Sequence, residues 1–317
     1  MIRLKLFLLA ASLGLTACSD SPAPLNQDYP LTKITERVYI IPGPLDPPNK
    51  QNRGFINNPG FVITNKGVVV IDPGSSRQIG QMVLDKIRSV TPLPVIAVFN
   101  THIHGDHWLA NCAVRAAYPR AVIYAHPAMI ARIAAGEGET WVNLLNQLTG
   151  GALKETQMVA PSLGIDDSET LKLGDLHFHI YHNGKAHTDS DIMIEVAEEK
   201  VMFLGDNLVF GRTPRLDEGD FQGNIAALDI ALKSDAQYFI AGHGKSGGRE
   251  IPQAFSAYLG ALYAAVKKYY AQGLSDFAMK PKVAEELAAY KGWAGFDEGL
   301  GRLISVAYLQ IEMDSFK

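Results

Sequence analysis

The chain has 317 residues, of which 47% are hydrophobic and 20% charged. That is the composition of an ordinary globular protein, long enough for one large domain or for one domain with an extension. A formal charge of −4 and only two cysteines, Cys18 and Cys112, exclude a charge-driven nucleic-acid partner and a scaffold built on disulfides.

At the N-terminus Arg3 and Lys5 precede Leu6–Leu15, an apolar stretch too short to span a bilayer. Leu15-Thr16-Ala17-Cys18 resembles a bacterial lipobox, which implies cleavage before Cys18 and acylation of that cysteine. A plain secretory signal with Cys18 left as a free thiol is the alternative. Ser19, a non-acidic residue after the cysteine, resembles outer-membrane sorting. Residues 1–18 therefore read as a lipoprotein signal peptide with its lipobox cysteine, and residues 19–30 as a flexible proline-containing tether. The expected location is the periplasmic face of the outer membrane, reached through a lipid anchor on Cys18.

Strand signals begin at Val38–Ile41 and continue at Phe61–Thr64 and Val68–Asp72, with Asn65-Lys66-Gly67 as a hairpin turn. Pro42–Arg53 is a Pro-, Gly- and Asn-rich loop of the kind that borders a site. Asp72-Pro73-Gly74 ends a strand, and Asp72 reads better as an acceptor that fixes the loop than as a metal ligand. Gln78–Val90 reads as a helix, Val95–Phe99 as a buried strand and Trp108–Ala117 as another helix. After a strand at Ala121–Ala125, His126-Pro127 leads into a helix, and Gly136–Asp167 is irregular apart from a helix at Thr140–Leu148. That region reads as an insertion forming one wall of a site.

Strands resume at Thr170–Leu173, Leu176–Tyr181, Asp191–Val196 and Lys200–Leu204. Alternation in Leu176–Tyr181 places His177 and His179 together on the exposed face. Two strand-rich halves suggest two stacked sheets. From residue 251 the spacing becomes helical, over Ala254–Gln272, Lys282–Tyr290 and Leu300–Met313, so residues 251–317 read as a helical extension packed on a catalytic domain at 31–250.

The chemistry concentrates at strand ends. Thr101-His102-Ile103-His104-Gly105-Asp106-His107 lies between the strand ending at Phe99 and the following helix. Imidazole nitrogen suits zinc and carboxylate oxygen can complete its coordination, but His102 and His104 alone cannot close a four-coordinate site. Candidates for the remainder each follow an apolar run: His187 in Gly184-Lys185-Ala186-His187-Thr188, Asp206 after Val201–Gly205, and His243 after Phe239–Gly242. His126, His177, His179 and His182 are left with ordinary roles. Arg212, Arg215 and Lys185 are candidate contacts for a substrate carboxylate or sulfonate, although Asp217, Glu218 or Asp220 are competing partners for both arginines. Thr188, Asp189 and Asp191 read as residues that orient His187.

The His-x-His-x-Asp-His loop with His187, Asp206 and His243 resembles the metallo-β-lactamase-fold superfamily. That resemblance implies an α/β fold, a four-layer αββα sandwich with a metal pair at one edge. It implies that His102, His104 and His187 bind one zinc, that Asp106, His107 and His243 bind a second, and that Asp206 bridges them; other divalent metals would also suit such a site. The implied activity is that of a zinc-dependent metallohydrolase. A water shared by metals about 3.5–4 Å apart has its pKa lowered towards roughly 7, and the bridging hydroxide attacks a small ester, thioester or related bond. Asp106 would orient that hydroxide and carry a proton to the leaving group.

β-Lactamases proper carry cysteine or serine where this chain has Asp206, which counts against antibiotic hydrolysis as the native task. β-Lactam hydrolysis, a flavodiiron-type oxidoreductase lacking its flavin domain, and a non-catalytic metal-binding lipoprotein are the alternatives. Several phrases are similar to the SoxH-like group, also called quinoprotein relay system zinc metallohydrolases. They are Asn58-Pro59-Gly60-Phe61-Val62, Ala186-His187-Thr188-Asp189-Ser190-Asp191, Gly205-Asp206 through Thr213-Pro214, and Ala307-Tyr308-Leu309-Gln310-Ile311-Glu312. That likeness implies an exported protein acting on a small-molecule substrate beside periplasmic quinoproteins or sulfur oxidation, with no nucleic-acid partner.

Overall fold

Hydrophobic runs at strand spacing build two sheets, and the computed structural model describes them over residues 27–316. Arg3, Lys5 and Cys18, and with them the expected signal and anchor, lie outside the described residues. The first sheet is ordered as the chain runs: β1 (Thr32–Lys33), β2 (Val38–Ile40), β3 (Gly60–Ile63), β4 (Val68–Ile71), β5 (Val95–Phe99), β6 (Val122–Ala125) and β7 (Leu163–Gly164). Its first four strands pair antiparallel and β4 to β7 parallel, and the expected turn at residues 65–67 joins β3 to β4 in register.

The second sheet comprises β8 (Thr170–Leu173), β9 (Leu176–Tyr181), β10 (Met193–Val196), β11 (Val201–Phe203) and, beyond a two-residue strand β12 (Val209–Phe210), β13 (Tyr238–Ile240); its order is β13-β11-β10-β9-β8. A small ribbon pairs β12 with β14 (His243–Gly244). The sheets face each other: Val62, Val69, Ile71 and Phe99 of the first meet Phe178, Ile180, Ile194 and Phe203 of the second in one buried cluster. Each such side chain taken from water stabilises the sandwich by about 1.5–3 kcal/mol. Along β9 Leu176, Phe178 and Ile180 are buried, whereas His177 faces Glu198 at 2.6 Å and His179 faces Thr170 at 2.8 Å, in keeping with their expected exposed face.

Helices cover both outer faces. On the first sheet α1 (Arg77–Val90), capped by the Ser76 hydroxyl, buries Ile79, Val83, Leu84 and Ile87. The single helix expected at Trp108–Ala117 is two short pieces, α2 (Gly105–Trp108) and α3 (Asn111–Ala117). The insertion is helical in its first half: α4 (Pro127–Arg132) passes through a π-turn into α5 (Gly138–Leu148), with the left-handed Gly136 (φ 102°) making the bend. The second sheet is covered by α6 (Phe221–Lys233), α7 (Glu250–Ala271), α8 (Asp276–Glu286) and α9 (Phe296–Ser315). Met202 and Phe239 of this sheet share one apolar cluster with Leu228 of α6, Phe255 and Leu262 of α7, Val283 of α8 and Leu303 of α9. The layers are therefore α, β, β, α, with the C-terminal helices continuous with the outer layer.

Three sequence expectations need correction. Tyr29, assigned to the tether, is buried with its ring 4.5 Å from that of Phe55, and Asp28 pairs with Lys86 at 2.5 Å, so the fold begins before residue 31. The helix expected from Lys282 starts at Asp276, capped by Ser275, and carries Pro281 inside it. Proline lacks a donor and usually starts or breaks a helix, which disguised the first turns. Helix α6 was not anticipated; its signal is Asp220, whose carboxylate accepts from the Gly223 N–H at 2.7 Å as a helix cap.

Candidate metal centre

Five loops meet at one edge of the sandwich, and four of them leave the ends of β4, β5, β11 and β13. The β5–α2 loop is held by Trp108, whose indole N–H donates to the Ile103 carbonyl at 2.7 Å. Behind it sits Asp72, at the end of β4 in a left-handed conformation (φ 50°) that an L-residue adopts only under constraint. The constraint is visible: its carboxylate accepts from the Thr101 N–H at 2.8 Å, the Thr101 hydroxyl at 2.7 Å and His107 Nδ1 at 2.8 Å. Asp72 is thus a loop-fixing acceptor, as its position suggested.

These bonds set the tautomers. The Thr101 hydroxyl spends its hydrogen on Asp72, so it accepts from His102 Nδ1 at 3.0 Å and leaves His102 Nε2 as a lone pair. Donation from His107 Nδ1 to Asp72, and from His243 Nδ1 to the Ile56 carbonyl at 2.7 Å, likewise leaves both Nε2 atoms facing inward. His104 points Nδ1 inward, 3.0 Å from His187 Nε2, and turns Nε2 towards Glu218 at 3.8 Å. Asp206 follows β11 beyond Gly205 (φ 53°), and Gly242 packs against it so closely that a Cβ there would lie 2.0 Å from Asp206 Oδ1. The single Gly242 N–H, shared between the Gly205 and Leu208 carbonyls, ties the Asp206 and His243 loops together.

The result is two adjoining groups of metal-binding side chains among the described residues. His102, His104, His187 and Asp206 form one, and Asp106, His107 and His243 the other, with the donor atoms of each group within 4.8 Å of one another. Asp206 stands between them: its carboxylate is 3.5 Å from His187 Nε2 and 3.2 Å from both His107 and His243 Nε2. Asp106 Oδ2 lies 3.2 Å from His243 Nε2. His102 Nε2 is buried without a hydrogen-bond partner, an arrangement that a cation would relieve, and the mixed imidazole and carboxylate donors fit zinc.

Electrostatics separate the imidazoles into two kinds. Burial, with the other imidazoles beside it, pushes His102 well below its usual range, and burial takes His187 down to about 3, so both are neutral imidazoles suited to hold a cation. Burial acts the same way on His107 and His243, but Asp206 and Asp106 outweigh it and hold both above the ordinary value. Burial works to raise the Asp106 and Asp206 carboxyls, yet His107 and His243 keep both below the usual carboxylate range.

The centre opens into a cavity of about 830 Å³. Leu45, Asp46, Pro47 and Pro48 of the 42–53 loop form one wall and Trp141, Leu144 and Leu148 of α5 another, so both irregular segments border the site. Arg212 and Arg215 line it, but Arg215 bonds Asp217 at 3.2 Å, whereas Arg212 has no carboxylate partner among the described residues. Lys185 does not line it. It is exposed, and its backbone carbonyl packs against Gly223 of α6. Thr188 and Asp191 brace the turn that carries His187, through bonds of 2.7 Å from the Thr188 N–H and hydroxyl to Asp191, whereas Asp189 pairs with Arg132.

Sequence reading missed several supports. Asn207 accepts from the His187 N–H at 3.2 Å, and Asn58 donates to the Ala241 and Gly244 carbonyls on either side of His243. Glu218, beside His104, is gripped by Arg132, which also holds Glu137. The His104 contact and the Arg132 charge keep the Glu218 carboxyl down at about 2 despite burial. C-terminal residues also enter the site, as Gly295, Glu298, Gly299 and Arg302 of α9 and its start line the cavity.

Residues 52–243 match the model of the Metallo-beta-lactamase superfamily, and the chain belongs to that family. It is similar to a hydroxyacylglutathione hydrolase of Synechococcus sp. (strain JA-3-3Ab), 27% identical over 160 residues, a match spanning 50% of this chain and 51% of that relative. The chain therefore spans about half the length of that relative. Among solved structures, the sec-alkylsulfatase Pisa1 of Pseudomonas sp. superposes with a TM-score of 0.68 at 17% identity over 89% of this chain and 50% of that one. A metallo-beta-lactamase of Pontibacter korlensis does so with a TM-score of 0.58 at 18% identity over 74% and 99%. At these identities the solved structures show a shared fold.

Proposed function

We propose that the protein is a dinuclear zinc hydrolase of a small ester, thioester or related acyl compound. His102, His104 and His187 hold one ion, Asp106, His107 and His243 the other, and Asp206 is shared. The observation that carries this reading is the Asp206 carboxylate, within 3.5 Å of an imidazole from each group. A zinc pair supplies a nucleophile at neutral pH by lowering the pKa of water, and polarises the electrophile. The protein's own part is to turn imidazole nitrogens inward, with His102 and His187 kept neutral, and to place Asp106 in the cavity lining, beside His243. There its carboxylate can hold a proton and deliver it to the leaving group. Membership of the superfamily and the similarity to a hydroxyacylglutathione hydrolase support acyl-transfer chemistry.

For the cellular setting we propose an exported lipoprotein anchored through Cys18 at the outer membrane, supported by the lipobox-like N-terminal sequence, and, on the likeness of its internal phrases to the SoxH-like group, a place in periplasmic quinoprotein or sulfur-oxidising metabolism. Labelling of the protein by radioactive fatty acid in cells, lost in Cys18→Ala, tests the anchor; unlabelled soluble protein in the periplasm refutes it.

The reaction is tested with zinc-loaded protein and its Asp106→Asn variant on thioesters, esters, lactones and a chromogenic cephalosporin. The expected result is turnover of an acyl ester or thioester, falling at least about a hundredfold in kcat in a folded variant, with little cephalosporin turnover. Near-normal turnover by zinc-loaded Asp106→Asn refutes the role of Asp106. Cephalosporin turnover above about 10⁴ M⁻¹s⁻¹ makes β-lactams the better substrate class.

A further inference from the structure

Arg212 and Thr213 stand out in the cavity because each keeps a buried polar atom without a partner. Arg212 Nη1 and Thr213 Oγ1 are both buried without a hydrogen-bond partner, and both residues line the cavity. Arg212 as a whole is half-buried, but a guanidinium nitrogen withdrawn from water and left unpaired is costly, so the chain gains when an anion arrives there. The other charges are committed elsewhere. Arg215 and Arg302 share Asp217 at 3.2 and 3.5 Å, and Glu137 and Glu218 are held by Arg132. Asp46 and Glu298 are exposed cavity residues with no bond to Arg212.

The position of this pair is fixed rather than mobile. Thr213 N–H donates to the Ala294 carbonyl at 2.9 Å, and Ala294 N–H to the Gly211 carbonyl at 3.0 Å, clamping the loop to the start of α9. Thr213 also packs on Gly299, where a Cβ would come within 2.6 Å of its methyl group. An apolar strip also borders the cavity. Leu45 and Leu148, two of the few large hydrophobic residues left exposed, both border it, beside Pro47 and Trp141.

We propose that the substrate is an amphiphilic oxyanion, with a carboxylate or sulfonate bound by Arg212 and Thr213 and a non-polar arm lying against Leu45, Pro47, Trp141 and Leu148. The proposal rests on the hydrolase reading for what happens to the substrate, but the binding claim can be tested without turnover.

The test is calorimetric binding of 4-phenylbutyrate, 4-phenylbutane-1-sulfonate and the neutral 4-phenylbutyramide to zinc-loaded wild type, Arg212→Gln and Arg212→Lys, with metal content measured for each. The expected result is a preference for an anion over the amide of about ten- to hundredfold in wild type. Arg212→Gln removes that preference at unchanged metal content, and Arg212→Lys keeps part of it. Tighter binding of one anion than the other identifies which oxyanion the subsite is built for. Leu148→Asn weakens acid and amide alike. A preference undiminished in Arg212→Gln, showing the anion sits on the metals or elsewhere, overturns the proposal, as does equal binding of acid and amide by wild type. If these binding results hold while no ester or thioester is hydrolysed, the hydrolase reading fails and the subsite stands.

Discussion

At the scale of residues, the centre depends on one carboxylate that touches no cavity. Asp72 takes a strained conformation so that it can accept from Thr101 twice and from His107, and through Thr101 it also sets His102. Asp72→Ala frees the His107 and His102 tautomers and leaves buried donors unpaired. Zinc affinity is expected to fall about 10–100-fold, read by competition with a chromophoric chelator; an unchanged affinity contradicts that role. Protonation gives a second test. Carboxylates hold the His107 and His243 pKa values above the ordinary range, so their protonated forms are favoured before a cation binds. Affinity is accordingly complete at pH above those raised values and falls as pH drops through them. Zinc uptake at neutral pH should release protons, seen as a binding enthalpy that varies with the ionisation enthalpy of the buffer. A buffer-independent enthalpy contradicts the charge state assigned here.

At the scale of elements, what the chain discloses depends on how local the cause is. The His102–His107 loop, Asp206 and His243 were legible because each follows closely on an apolar strand, and periodicity alone finds such strands; His187 stands in the loop between β9 and β10. Helix α6 was missed although Asp220 caps it, because its apolar residues Phe221, Leu228 and Ala231 follow a loop dense in acids and glycine. Glu218, Arg132 and Asn58 were illegible for a different reason. Their partners lie 86 and more residues away in the chain for the Arg132–Glu218 and Asn58–Ala241 contacts, and no spacing rule reaches that far. The same holds for α9, whose helical period is plain but whose approach to the cavity is not. Gly299 is the contact that makes the approach close. Gly299→Leu is expected to push Thr213 and its loop into the cavity, raising KM for the substrate at least about tenfold while leaving zinc stoichiometry at its wild-type value. An unaltered KM, with the variant folded, contradicts the placement of α9 against that loop.

At the scale of the molecule, two cores serve one edge. The cluster between the sheets fixes where β5, β9, β11 and β13 end, and the loops that follow those ends carry the clustered His and Asp side chains. The outer cluster joins the second sheet to α6, α7, α8 and α9, and through α9 the C-terminal part supplies a wall of the site. The family match covers residues 52–243, and α9, which closes one side of the cavity, lies beyond it. As a dinuclear hydrolase, one protein chain would hold two metal ions through seven side chains and need both for hydrolysis. Stripping the protein with a chelator and titrating zinc back, while following hydrolysis of the best ester or thioester and the metal bound per chain, tests this directly. Activity is expected to vanish on stripping and to return to its plateau as the second zinc per chain is bound. Hydrolysis that survives complete metal removal, or a plateau reached with a single bound zinc, contradicts it.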